Sequence, residues 1–265
     1  MNRLKLKKAS FKSWYKNQLT RSQKIFFFAF IVNAISVLLV FHGLFALLFK
    51  GRDGFLSLDK FTNQTNILIF FFSLFYVFFP KHSFLKNDKF LIACITYIFI
   101  TFFVYNLVSI ANAVAVIVAP KSILAWSYTR IGYGSKATAF LLFIDLFKHL
   151  FNPIVFIVCG FFKFVYDPNL KLKKFSSYLL PMMIYPAIYC VYAIVAPFIY
   201  KQENGMTYSV YNVATNTKDY PQFAYPVVFF LLFVLIPVTT YLTWFGARKI
   251  SKKYERNQVM INPQN

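Results

Sequence analysis

Residues 90–119 read FLIACITYIFITFFVYNLVSIANAVAVIVA, thirty consecutive positions without a charged side chain. About 20 apolar residues cross the hydrocarbon of a bilayer, and at the helical rise this stretch reaches about 45 Å. It therefore reads as one membrane-spanning helix that is long enough to tilt, or to break near Asn112. Five further apolar blocks lie around it. They run over about 25–49, 62–79 (ending at Pro80), 138–162, 177–199 (with Pro181 and Pro186) and 224–247 (with Pro237). The prolines are expected to kink their helices. The fold class is thus all-α: a polytopic transmembrane bundle of about six spans.

Composition agrees. Of 265 residues, 58% are hydrophobic and 22% aromatic, and they fall in long blocks where a soluble domain would scatter them. The formal net charge of +21 would suggest nucleic acid in a soluble protein. Here it has a cheaper cause, because Lys and Arg collect on cytoplasmic loops and meet anionic lipid there. With the N-terminus inside, the inner segments hold 20 of the 29 basic residues, the outer loops hold 8, and Lys148 lies within a span. Both ends are therefore expected on the cytoplasmic side of the cell membrane. The chain divides into a basic N-terminal segment, 1–24, a six-helix domain, 25–247, and a basic C-terminal tail, 248–265. The expected partner is anionic lipid at the basic face, with no role for nucleic acid. Within the first segment Phe11, Trp14, Tyr15 and Leu19 stand at helical spacing, which suits either a short surface helix or an irregular basic tail.

Two outer loops stand apart. Residues 120–137 (PKSILAWSYTRIGYGSKA) place Trp126, Tyr128 and Tyr133 among polar groups and would suit a lid at the interface. Residues 200–223 are rich in Tyr, Asn and Thr, and read as a connection anchored by aromatics at headgroup level.

A polar side chain in hydrocarbon needs a partner or a task. The strongest cluster lies in FLLFIDLFKHLFNP, where Asp145, Lys148, His149 and Asn152 stand at i, i+3, i+4 and i+7, one helical stripe. His149 lies about 16 Å deep, near the midplane. Span two opens with Thr62, Asn63, Gln64, Thr65 and Asn66. Span three holds Asn106, Ser109 and Asn112, and span one holds His42. These groups gather in the outer half of the bundle and imply a polar cavity there.

Three functions suit such a cavity. A Thr hydroxyl of span two with the imidazole of His149 would supply a nucleophile and its base, oriented by Asp145, with Asn66 or Asn106 donating to an oxyanion. Asn106, Lys148 and Asn152 would then contact an amphipathic substrate such as a lipid ester. Alternatively, the Asp/Lys/His stripe would couple ions or protons to transport, or bind a solute. A third possibility is a non-catalytic component whose basic face recruits a partner. His42, Asp145 and His149 would hold a metal only if spans one and four adjoin, and no metal-binding motif supports it. No nucleotide fingerprint is present, so no cofactor is expected. Cys94, Cys159 and Cys190 lie far apart in apolar blocks and read as buried thiols.

The strings KFTNQTNILI (60–69), KHLFNP (148–153) and YPAIYCVYAIV (185–195) occur in that order. Their order resembles that of a group of small bacterial multi-span membrane proteins, including some from mollicutes. That group is distantly similar to the androgen-induced membrane hydrolases. The latter similarity implies Thr62 and His149 as the catalytic pair for a lipid ester. Lys148 beside the histidine and the Asn-rich start of span two depart from that pattern.

Overall fold

A computed structural model describes residues 10–85, 88–118, 139–168, 172–202 and 205–261. A short helix α1 (Phe11–Asn17) leads into α2 (Arg21–Leu48), the single turn α3 (Phe55–Leu58), α4 (Phe61–Phe78), α5 (Lys89–Val118), α6 (Ala139–Tyr166), α7 (Ser176–Ile199) and α8. α8 comprises Pro221–Phe230, a π-turn Leu231–Leu235 and Ile236–Ile261. Among the described residues, six helices, α2 and α4–α8, are long and apolar enough to cross a membrane. An even number of crossings puts both chain ends on one side. That side is called the terminal end below, and the opposite one the far end. Among the described residues there is no strand, only an isolated bridge between Lys201 and Thr207.

The six expected spans are present, with differences. α5 runs unbroken through Asn112, so its excess length is not taken up by a break there. α7 likewise stays helical through Pro181, Pro186 and Pro197. α8 continues past the expected span as a helix to Ile261, taking in most of the basic tail. The proposed lid, 120–137, lies outside the described residues. α1 packs onto the bundle: Trp14 stacks on Phe78 at 5.6 Å, and Tyr15 meets Phe27 edge-on.

α2 and α4 pack closely. Ser22, Phe26, Ala29, Asn33, Ser36 and Val40 are buried along α2, and Thr62, Asn66, Ile69, Ser73 and Tyr76 along α4. Both sets alternate steps of three and four residues, the spacing that makes a knobs-into-holes seam. Small residues let the backbones approach, and polar ones bond across. Asn33 donates to Ser73 Oγ at 2.8 Å and to the Ile69 carbonyl at 3.2 Å. Ser22 and Tyr76 share a bond of 2.9 Å.

The aromatic core fills the terminal half. Phe26 lies 5.3 Å from Phe72 and 5.8 Å from Phe156, ring to ring, and all three are buried. Beneath this layer a polar cluster closes the terminal end. Lys163 pairs with Asp88 at 2.6 Å and lies 3.8 Å from Asp167, to which Tyr76 donates. Lys163, one of the residues assigned to the basic inner face, is therefore buried and neutralised. The outward faces of the helices remain apolar, with Leu38, Leu180, Ile188 and Phe233 exposed. Such a surface suits lipid and would be a liability in water.

Candidate functional site

The site begins with a break in α6. Pro153 has no N–H to give back to the preceding turn, and its ring crowds the carbonyl there. The chain responds with a π-turn over Phe147–Phe151, in which the Asn152 N–H reaches back five residues to the Phe147 carbonyl. Carbonyls of Lys148 and His149 must then be met from outside the helix. Asn66 of α4 donates to the Lys148 carbonyl at 3.3 Å, and Asn106 of α5 donates to the His149 carbonyl at 3.3 Å.

Asn66 is fully buried and uses every position it has. Its amide also donates to the Thr62 carbonyl at 2.7 Å, while its oxygen accepts from Ser36 at 2.7 Å and from Asn152 at 2.6 Å. Asn106 also donates to the Phe102 carbonyl at 2.6 Å. The two amides considered as oxyanion donors are thus committed to backbone carbonyls.

The π-turn also spreads the predicted stripe. His149 stacks on Tyr105 of α5 with ring centroids 3.7 Å apart. Its Nδ1 lies 2.9 Å from the Asp145 carbonyl and 3.7 Å from the Asp145 carboxylate. Tyr105 donates to the other carboxylate oxygen at 3.1 Å. The structure therefore joins Asp145, His149 and Tyr105. The Thr62 hydroxyl interacts elsewhere, with the phenol of Tyr211.

Asp145 and Lys148 face a different space. Together with His42, Ser57, Lys60 and Asn63 they supply the polar lining of a cleft of about 340 Å³ between α2, α3, α4 and α6. It lies in the far half, where a polar cavity was expected. Lys148 Nζ reaches Asn63 Oδ1 at 3.4 Å, a long contact. Lys60 was read only as a loop charge. Its place at the head of α4, one residue before the aromatic-Thr start of the span, was the available signal.

Asp59 was also missed, although acids are scarce in this chain, 8 Asp and Glu in all. It sits between α3 and α4, fully buried. Tyr192 donates to its carboxylate at 3.0 Å, as does Tyr208, and Tyr189 donates to its backbone carbonyl at 3.0 Å. The tyrosines at 208 and 211, expected at headgroup level, turn inward and hold the 205–217 segment onto the head of α4. Burial pushes the Asp59 carboxyl above the usual aspartate range, against the tyrosine hydrogen bonds that lower it.

Fold and site together define an all-helical protein with six helices able to span a membrane among the described residues and a polar cleft at one end. The chain belongs to the family described as "Protein of unknown function (DUF1600)", whose model matches residues 142–253, from α6 into α8. It is 31% identical over 256 residues to Uncharacterized protein MG452 of Mycoplasma genitalium, covering 96% of this chain and 90% of that one. The MG452 homolog of Mycoplasma pneumoniae is 34% identical over 188 residues, 69% of this chain and 68% of that one. Uncharacterized protein MG133 of Mycoplasma genitalium is 28% identical over 176 residues, 62% of this chain and 65% of that one. No solved structure matches. These relatives bear out the bacterial, mollicute side of the resemblance.

Two outcomes follow. Asn66→Leu, near in volume but without donors or acceptor, leaves the Lys148 carbonyl and two buried donors unmet. It should destabilise the purified protein by about 2–5 kcal/mol in a denaturant titration, while Asn66→Gln should recover part of that. For Asp59, a raised folded value means that the folded state binds the proton more tightly than the unfolded chain. Its contribution is greatest at acid pH and is lost as pH rises from the aspartate range through the folded value. Unfolding midpoints measured from about pH 4 to about pH 7 should fall over that window, and Asp59→Asn should flatten the slope.

Proposed function

We propose that this is a multi-pass cell-membrane protein, with both ends in the cytoplasm, that binds a small polar solute or headgroup in its outward-facing cleft. The observation that carries this is the cleft itself. Chargeable side chains from α2, α6 and the head of α4 converge on one space of about 340 Å³. Ligand sites are concave and mostly apolar, with a few convergent polar groups, and this one conforms. The orientation rests on the excess of Lys and Arg at the terminal end, which also gives anionic lipid a surface to meet. Binding of this kind serves a transporter or a solute receptor.

The hydrolytic reading has one feature in its favour: Asp145 lies against the imidazole of His149, as an orienting group should. It further requires Thr62 to exchange Tyr211 for His149. It predicts that a fluorophosphonate reagent labels the wild type and that labelling is lost in both Thr62→Ala and His149→Ala. Labelling retained in both would remove it.

The cleft reading is tested by accessibility. In a background with the three native cysteines replaced by Ala, Ser57→Cys should react in intact cells with a membrane-impermeant maleimide. A cysteine at the seam position Asn33 should stay unreacted. If Ser57→Cys reacts only after cell lysis, the outward cleft is wrong.

A further inference from the structure

Two ammonium groups face the cleft, and among the described residues the lining offers them a single carboxylate, Asp145. Lys148 belongs to α6 at a depth where an uncompensated charge is expensive. Its polar contact is the neutral Asn63 oxygen at 3.4 Å, too long to offset much of that cost. Lys60 lines the same space from the head of α4, and Asp145 shares the lining with both lysines. The acids nearby are shared with other partners. Asp145 accepts from Tyr105 and lies beside His149, and Asp59 is held by Tyr192 and Tyr208. His42, the remaining titratable group of the lining, packs edge-on against Phe140. The lining thus holds two lysines against one aspartate.

We infer that the ligand of this cleft carries a tetrahedral oxyanion of the phosphoryl type, bound between Lys60 and Lys148. This rests on the cleft being a binding site. A lysine ammonium is a compact point charge with three donors, which suits the distributed oxygens of a phosphate; flat carboxylates are better matched by the guanidinium fork of Arg. Among the described residues, no arginine lines the cleft. Asn63, whose amide donates to the Ser57 carbonyl, holds α3 against the head of α4 beside the two lysines. The uncharged walls of α2 and α6, Leu39 and Leu141 among them, leave room for the apolar or sugar-like remainder of an organic phosphate.

The same chemistry is offered by a phospholipid headgroup and by a soluble phosphate, so the experiment has two arms. In the first, the full chain in neutral detergent is titrated with inorganic phosphate and with glycerol 3-phosphate, following the thermal unfolding midpoint. At least one should raise the midpoint in the wild type, whereas choline chloride at equal ionic strength should not. In the second, nanodiscs of phosphatidylcholine alone are compared with nanodiscs containing phosphatidylglycerol, following maleimide reaction at Ser57→Cys. Protection by phosphatidylglycerol alone assigns a lipid headgroup, and protection by added soluble phosphate in either disc assigns a soluble ligand.

In whichever arm responds, Lys60→Gln should weaken the response about tenfold, the loss of one charge-assisted contact. Lys60 is exposed, so this variant leaves the packed interior untouched. Lys148→Gln should do the same, and Lys148→Arg should keep the response if Lys148→Gln fails to fold. Stabilisation by choline and not by either phosphate would overturn the anion assignment while leaving the cleft intact. A response unchanged in Lys60→Gln and Lys148→Gln would overturn it as well, as would no response in either arm from a protein whose Ser57→Cys is freely labelled. An unreactive Ser57→Cys would instead remove the cleft reading beneath it.

Discussion

A backbone carbonyl in hydrocarbon that loses its helical partner must find another donor, because no water is there to supply one. Pro153 imposes this condition on α6. The π-turn before it leaves the Lys148 and His149 carbonyls for other helices to satisfy, and Asn66 and Asn106 do so. Those two bonds fix the places at which α4 and α5 meet α6. Asn66 then takes Ser36 and Asn152 as well, so one amide ties α2, α4 and α6 together. The cleft follows from that arrangement. It lies on the far side of the Asn66 tie, lined by α2, α3, α4 and α6.

The same device occurs a second time. In α8 a π-turn over Leu231–Leu235 precedes Pro237 at the same interval as in α6. Its surroundings are the opposite: Leu231 and Leu235 border an apolar groove of about 300 Å³ against Phe103 and Leu107 of α5. One local solution to a proline is thus used at a polar interior site and again at a greasy outer one. Its presence alone does not mark function. What distinguishes α6 is the company of Lys148, Asp145 and Asn63 around the turn.

The number and type of helices were legible because thirty uncharged residues at 90–119 admit few other structures, and because hydropathy in blocks is a coarse, strong signal. The polar far half was legible for the same reason, since each buried Asn or Lys is costly and so informative. The detailed site was not. A stripe drawn at 3.6 residues per turn through Asp145, Lys148, His149 and Asn152 presumes an unbroken α-helix. The π-turn adds a residue in the middle, and the four side chains reach three different neighbours: the cleft, Tyr105 and Asn66. Pro153 was visible, but the sequence does not state whether a proline will kink, break or widen a helix. α7, which carries three prolines and stays helical throughout, shows how open that choice is. Asp59 drew no reading and Lys60 counted only as a loop charge; the hydrogen bonds of Tyr192 and Tyr208 to the Asp59 carboxylate come from distant parts of the chain and are not written in the local sequence.

The buried layer of Phe26, Phe72 and Phe156 has an electrical consequence. Polar groups enter from the far end as far as Asn33 and Ser73, and return below at Tyr76, Ser22 and Asp167. Between them the rings of Phe26, Phe72 and Phe156 meet side to side, with centroids 5.3, 5.8 and 5.9 Å apart. In a bilayer, a charge carried from the cleft to the terminal end would have to pass this uncharged layer, and crossing the whole membrane potential is worth about 2.3 kcal/mol per 100 mV. The layer is thus an insulating partition between the two polar ends of the bundle.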